Sequence, residues 1–147
     1  SLYSCCEHHF LPIIGRAQVD YMVDKFQSCR AVAQQIHDGY RYFLIEDADR
    51  YVGYMGIQPK GNELFLSKIY VEALLRGKGF GRKCLAFIED VARNDGFGTI
   101  TLTVNKNNAN SIAAYERWGF AKIEAVVQDI GGGFVMDDYK MAKSVGR

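Results

Sequence analysis

The chain has 147 residues, 48% of them hydrophobic, enough apolar material for one compact domain over residues 1–147 with a core of its own. Its 18 basic and 17 acidic residues nearly cancel, leaving a formal charge of +1, which argues against a nucleic-acid coat or a basic membrane-surface protein. The apolar runs fall far short of the roughly 20 residues of a membrane span and no signal-peptide pattern opens the chain, so a soluble, cytoplasmic protein without nucleic-acid or membrane partners is expected.

In chain order, Val19, Met22, Val23 and Phe26 follow Ala17 at the spacing of one helical face. Ser28 is placed to cap a second helix that runs through Val32 and Ile36 to Gly39. Three aromatic and β-branched runs come next, Tyr40 to Asp47, Tyr51 to Pro59 and Glu63 to Val71, separated by "DADR" and "KGN"; they predict a three-stranded meander. After the stretch "LLRGKGFGRK", Leu74 to Lys83, the residues Cys84, Leu85, Ile88, Val91 and Ala92 repeat at helical spacing up to "NDGFG". "TITLTV", Thr99 to Val104, alternates as a strand, "ANSIAAYERWGF" reads as a short helix, and two runs about Gly131 to Gly133 make a hairpin. Strand Glu63 to Val71, the helix from Gly81 and strand Thr99 to Val104 form a βαβ unit, so those two strands are expected as parallel neighbours in an otherwise antiparallel sheet.

Four cysteines, Cys5, Cys6, Cys29 and Cys84, form no CxxC pair and read as reduced thiols. "CCEHH", Cys5 to His9, carries ligand types, but adjacent residues point apart and a tetrahedral site needs spacers, so no metal is expected.

The glycine turn carries the chemistry. A dinucleotide fingerprint needs GxGxxG, and here the glycines are Gly77, Gly79 and Gly81, with Arg82 on the third fingerprint position. No GxxxxGK followed by Ser or Thr exists either, which excludes a P-loop. A flexible loop with solvated lysines explains the glycines but not the strong helix that follows at once. An anion cradle explains both: glycines let backbone N–H groups converge on a ligand, and a helix start adds unpaired donors and a positive dipole end. Arg76, Lys78, Arg82 and Lys83 surround that turn with charge.

These residues resemble the GNAT superfamily of acyl-CoA N-acyltransferases. "RGKGFG" fits its R/Q-x-x-G-x-G/A motif with Arg76, Gly79 and Gly81 on the fixed positions, and "LTVNKNNANSIAAYERWGF", Leu102 to Phe120, is similar to its second signature. The resemblance covers about Ala17 to Lys143 and implies an α/β (α+β) fold, a mixed and mostly antiparallel sheet whose central parallel pair splays at the cofactor site, flanked by helices. The family pattern opens with a strand before its first helix. No strand is legible among the sixteen residues before Ala17, so the expectation is a sheet without that strand, either lost or outside this piece of chain.

The resemblance further implies acetyl-CoA as co-substrate. Its pyrophosphate falls to the turn of Arg76, Gly77, Lys78, Gly79, Phe80, Gly81 and Arg82, and its pantetheine arm to the strand edge of Ile69, Tyr70 and Val71. Asn105 and Asn110 stand on positions that contact the cofactor; turn making or capping is the structural alternative for Asn105. Tyr115 stands at the general-acid position, with packing beside Trp118 and Phe120 as its structural alternative. An alkyl amine with a pKa near 10.4 lies about 4.6 kcal/mol from its nucleophilic form at pH 7, so a base is required. Glu63, at the start of a strand, is the candidate, ahead of Glu72, Glu46 and Glu116.

The segment Asp129 to Met141 resembles one in a subgroup that includes bacterial spermidine/spermine N-acetyltransferases. Asp137 and Asp138 alternate across that strand, so only one faces the acceptor cleft. The expected acceptor is a small amine or polyamine, with a protein N-terminus or lysine as the alternative; from another class, the domain would be a non-catalytic acyl-CoA-binding module. Exposed sheet edges permit a homodimer.

Overall fold

The computed structural model describes residues 29–71 and 77–146. The helix expected from Ala17, the Cys5 to His9 cluster, Glu72 and Arg76 lie outside the described residues. The elements are α1 (Cys29–His37), β1 (Arg41–Asp47), β2 (Arg50–Lys60), β3 (Glu63–Val71), α2 (Phe80–Asn94), β4 (Thr99–Asn105), α3 (Ala109–Arg117), β5 (Ala121–Gly131) and β6 (Phe134–Ser144). The strands form one six-stranded sheet in the order β1-β2-β3-β4-β6-β5. All neighbours are antiparallel except β3 and β4, the expected parallel pair.

Alternation sorts the side chains onto two faces. Leu64 and Leu66 of β3, Ile100, Leu102 and Val104 of β4 and Met141 of β6 are buried on one face. The amphipathic α2 lies across β3 and β4 and meets them with Cys84, Leu85, Ile88 and Ala92. Phe43 of β1 joins this layer edge-to-face with Phe87, ring centres 5.1 Å apart. The second face is more polar. There α1 docks through Gln35, whose side-chain oxygen accepts hydrogen bonds from the Tyr42 hydroxyl and, at 2.8 Å, from Lys68 Nζ.

The parallel pairing of β3 with β4 is short. It runs from Glu63↔Thr99 to Leu66↔Leu102 and stops, although β3 continues to Val71 and β4 to Asn105. The stop coincides with a bulge in β3: Gly56 and Ile57 of β2 stand opposite Lys68 and Leu66, leaving Ser67 as the extra residue. A bulge bends and twists the strand that carries it, and here it turns the end of β3 away from β4. The sheet therefore forks past Leu66, with β2 holding one arm as far as Val71 and β6 holding the other as far as Asn105.

The β2 arm depends on a close backbone approach. A Cβ at Gly53 would lie 2.0 Å from the Tyr70 carbonyl oxygen, a backbone atom that cannot move aside without parting β2 from β3. Gly53→Ala is expected to cost about 2 kcal/mol or more by overpacking, read as a lower urea midpoint in equilibrium unfolding; an unchanged midpoint would show that the arm yields.

Candidate active site

The glycine turn leads from the end of β3 into the first turn of α2. Gly77 and Gly79 have φ of 79° and 86°, the left-handed region that other L-residues rarely enter. A Cβ at either would meet no atom within 4 Å, so the demand for glycine is conformational and the space beside the turn is open. Gly79 caps the helix with no side-chain hydrogen bond, and its carbonyl accepts the Lys83 N–H at 3.1 Å. The N–H groups of Phe80, Gly81 and Arg82 precede that first helical bond and stay at the helix start with the positive dipole end. No acidic residue stands in this turn, and Lys78, Arg82 and Lys83 are exposed around it. Backbone donors at a helix start, open space and exposed cations fit a pyrophosphate.

Gly81 has a different task. A Cβ there would sit 3.1 Å from the Trp118 ring, so the missing side chain lets Trp118, at the C-terminal end of α3, rest on the first turn of α2. Trp118 in turn contacts Tyr115 edge-to-face at 5.9 Å, and Tyr115 meets Phe120 at 5.8 Å. The tyrosine is thus held one aromatic ring away from the glycine turn. Burial raises its phenol pKa to about 12, so the hydroxyl keeps its proton at neutral pH and can only donate it.

Of the expected pantetheine contacts, Ile69, Tyr70 and Val71 lie on the β3 arm beyond the last β3–β4 pair. That edge receives no strand partner from β4, and an extended ligand with amide groups can pair there as an added strand would. On the opposite arm, Asn105 makes a turn: its side-chain oxygen accepts the Asn107 N–H at 2.9 Å. Asn108 is the residue that caps α3, accepting from Ser111 N at 3.2 Å, and Asn110 is exposed one residue into the helix.

Glu63 does not belong with this group. As the first residue of β3, opposite Thr99 at the start of β4, it stands at the closed end of the fork, six residues from Ile69 and so about 20 Å away along the strand. Its carboxylate is engaged by the Thr101 hydroxyl at 3.2 Å and by Lys140 at 3.4 Å. Helix α2 begins after the last residue of β3, so the first residue of that strand lies at the far end from the turn. Glu46 on β1 and Glu116 on α3 are exposed.

The carboxylate that does reach the fork is Asp138. It lies opposite Asn105 in the β4–β6 ladder and is 5% exposed, whereas its neighbour Asp137 is exposed and bonded to Lys106 at 2.6 Å. No hydrogen bond or ion pair forms to the Asp138 side chain among the described residues. Burial first, and the nearby Asp137 second, raise its pKa to about 6 against the opposing pull of Lys106. The alternation in "FVMDDYKMA" separates the two aspartates; only the register of β6 on β4 shows which one is inside. Elsewhere, Cys84 is free and buried, its thiol pKa raised by burial. Among the described residues no three His, Cys, Asp or Glu side chains gather as metal ligands, and no helix is long and apolar enough to cross a membrane.

The raised pKa of Asp138 has a consequence for stability. The folded chain binds this proton more tightly than the unfolded chain, whose aspartate titrates near 3.9. The stabilisation is fully present below that value and is lost as pH rises through about 6. Across that window the group is expected to remove ~3 kcal/mol of stability. Asp138→Asn should flatten this segment of a stability-against-pH curve measured by urea unfolding; a variant curve parallel to wild type would contradict the assignment.

The chain matches the Acetyltransferase (GNAT) family model over residues 9–120. It is 33% identical over 90 residues to the uncharacterized N-acetyltransferase YjgM of Escherichia coli (strain K12), a match spanning 58% of this chain and 54% of that one; the aligned segment is thus about half the length of that relative. The fold is similar to the crystal structure of PaiA N-acetyltransferase from Thermoplasma acidophilum in complex with coenzyme A, with a TM-score of 0.79 at 16% identity over 97% of this chain and 87% of that one. It is also similar to a chimeric spermidine N-acetyltransferase, SpeG, from Vibrio cholerae and hSSAT, with a TM-score of 0.72 at 21% identity over 97% and 87% of the two chains. With a family model covering most of its length and the forked sheet and glycine-led helix in place, the chain belongs to the GNAT acetyltransferase family.

Proposed function

We propose that the chain is an acetyl-CoA-dependent N-acetyltransferase that transfers the acetyl group to a primary amine by direct attack, a small amine or polyamine being the acceptor. The observation that carries this reading is the fork: two strands that pair for four residues and then part, with the start of α2 following one arm and the α3 tyrosine packed beside it. Acetyl-CoA supplies an activated acyl group on a thiol leaving group. The chain's own residues do the rest. The backbone of Gly77 to Arg82 grips the pyrophosphate, with Arg76 carried over from the family motif. The β3 edge around Ile69 aligns the pantetheine arm, and a backbone N–H of Ile69 or Tyr70 faces the charge that develops on the acyl oxygen. Tyr115 gives its proton to the departing sulfur.

Catalysis on a primary amine is favoured over a non-catalytic role because a protonated tyrosine and a carboxylate stand at the fork, groups a binding module does not need. The PaiA and SpeG likenesses lie below 25% identity and bear on the fold; the small-amine assignment rests on the resemblance of Asp129 to Met141 and on a carboxylate at the fork. The test is an acetyl-transfer screen of the purified chain against alkylamines, polyamines and peptides with free N-termini or lysines. Thiol release with polyamines above that with peptides is expected. Activity on peptides alone would move the acceptor to protein, and CoA binding with no thiol release on any amine would favour the binding module.

Two substitutions separate the cofactor grip from the chemistry. Tyr115→Phe should lower kcat by about 10²-fold, the lower end for general-acid catalysis, with little change in CoA affinity; an unchanged kcat would remove the general-acid role. Gly79→Val forces a β-branched residue to a φ of 86° and puts a side chain into the open space at the turn. Calorimetric titration is expected to show CoA binding weakened by about tenfold or more, the loss of roughly one charge-assisted hydrogen bond, in a domain that still unfolds cooperatively.

A further inference from the structure

Residues directly opposite one another in a ladder share a face of the sheet. Asp138 therefore points to the same side as Asn105 of β4 and Val126 of β5, while Tyr139 next to it turns toward α2 with Val104. Across the fork, Tyr54 and Tyr70 are paired in the β2–β3 ladder with ring centres 5.8 Å apart. They occupy the side of that arm on which Lys68 meets α1, the same side as Asp138. Asn105 and Ile69 each stand three residues past the last β3–β4 pair, Leu66↔Leu102, so Asp138 and the β3 arm are level. Tyr115 and the start of α2 lie on the opposite face with the core. The fork thus has Tyr115 on one side of the sheet and, on the other, one carboxylate beside the β4 arm and two tyrosine rings on the β2–β3 arm.

That carboxylate is singular in how little holds it. The charged groups around it are Lys106 in the turn after β4, Asp137 on its own strand, and Lys140, Glu63 and Glu124 on its face. Lys106 is taken by Asp137 at 2.6 Å and Lys140 by Glu63 at 3.4 Å. Each of these cations already has a partner, and among the described residues Asp138, 5% exposed, makes no hydrogen bond or ion pair. Its side chain is largely buried while its oxygens are not sealed from the surface, and a carboxylate held so beside a fork that an extended ligand can enter is placed to meet a ligand's positive charge. A primary ammonium supplies it, its charge meeting the carboxylate and its methylenes and charge the tyrosine faces.

Building on the acetyl-transfer reading, we propose that Asp138 is the catalytic carboxylate of the acceptor side, taking a proton from the incoming ammonium and so freeing the nitrogen lone pair that attacks the acyl carbon. The C–N bond forms and the C–S bond breaks. One ammonium proton passes to Asp138 and on to solvent. The sulfur takes the Tyr115 proton, and the phenolate is restored by the second proton the nitrogen sheds on becoming an amide, so ammonium and thioester give amide, thiol and one released proton. Acid and base act from opposite faces of one sheet through the gap between two of its strands.

The test uses the whole chain with n-butylamine and spermidine as acceptors, following thiol release from pH 5.5 to 9. In Asp138→Asn, kcat is expected to fall about 10²-fold, and the acidic limb of kcat/KM, centred near the Asp138 pKa of about 6, to vanish. CoA affinity by calorimetry should be unchanged, and Asp138→Glu should recover part of the rate with its acidic limb. Asp138→Ser provides a second truncation, should the asparagine variant fold poorly. Wild-type kcat with an intact acidic limb in either variant overturns the assignment, as does a rise in amine KM alone. A wild-type chain that binds CoA but releases no thiol with either amine overturns the small-amine acceptor reading on which the assignment rests, a result distinct from active variants.

Discussion

The early end of the pairing between β3 and β4 is the constraint on which the site depends. Strands normally satisfy their backbone groups on both sides, and a buried group left without a partner is costly. Here the pairing stops after four residues, yet neither arm is loose. β2 follows β3 to Val71 and β6 follows β4 to Asn105, so each arm is fixed along its outer edge while its inner edge faces the gap. The Ser67 bulge sets the angle. Below the fork, Leu64, Leu66, Ile100 and Leu102 are buried under α2 with 3% exposure or less, which anchors the point from which the arms diverge. An opening held in this way costs little further ordering when an extended ligand enters.

The glycine turn and the aromatic cluster are joined to that opening by packing more than by hydrogen bonds. Trp118 touches the first turn of α2 only because residue 81 has no side chain, and the same ring fixes Tyr115. The glycine turn and Tyr115 therefore share one contact. This gives Gly81 a reason distinct from that of Gly77 and Gly79, whose positive φ values shape the loop. A substitution at Gly81 acts through the position of Trp118 and Tyr115, whereas one at Gly79 acts on the backbone that meets phosphate.

Much of this was legible in the residues. The strand Glu63–Val71 stands where the alternation placed it, the helix after the glycine turn begins one residue earlier than expected, and the βαβ unit forced β3 and β4 to be parallel neighbours. What sequence spacing does not carry is which strand of the last hairpin joins the sheet. The second, β6, inserts between β4 and β5, and that choice alone brings Asp138 beside Asn105. The misplacement of Glu63 has a simpler source. Parallel strands start at the same end, so the first residues of β3 and β4 meet where the sheet is closed, and the fork lies at the ends from which the chain departs into α2 and α3.

Asp137 and Asp138 show how a local inconsistency marks a functional position. Asp137 is exposed and bonded to Lys106, an arrangement that solvent and charge both favour. Asp138, one residue on, is 5% exposed and makes no hydrogen bond or ion pair among the described residues. Sequences that fold well agree with their structure at every level, and departures from that agreement collect where function demands them. A largely buried carboxylate beside an opening, its pKa raised to about 6, has one property that the proposed base role calls for, a pKa drawn toward the working pH. Tyr115, packed against the core and held in its neutral form, keeps the proton that the proposed acid role would use. Desolvation pushes both pKa values upward, and because one group is a carboxyl and the other a phenol, the same physical effect leaves one able to accept a proton at neutral pH and the other able only to give it.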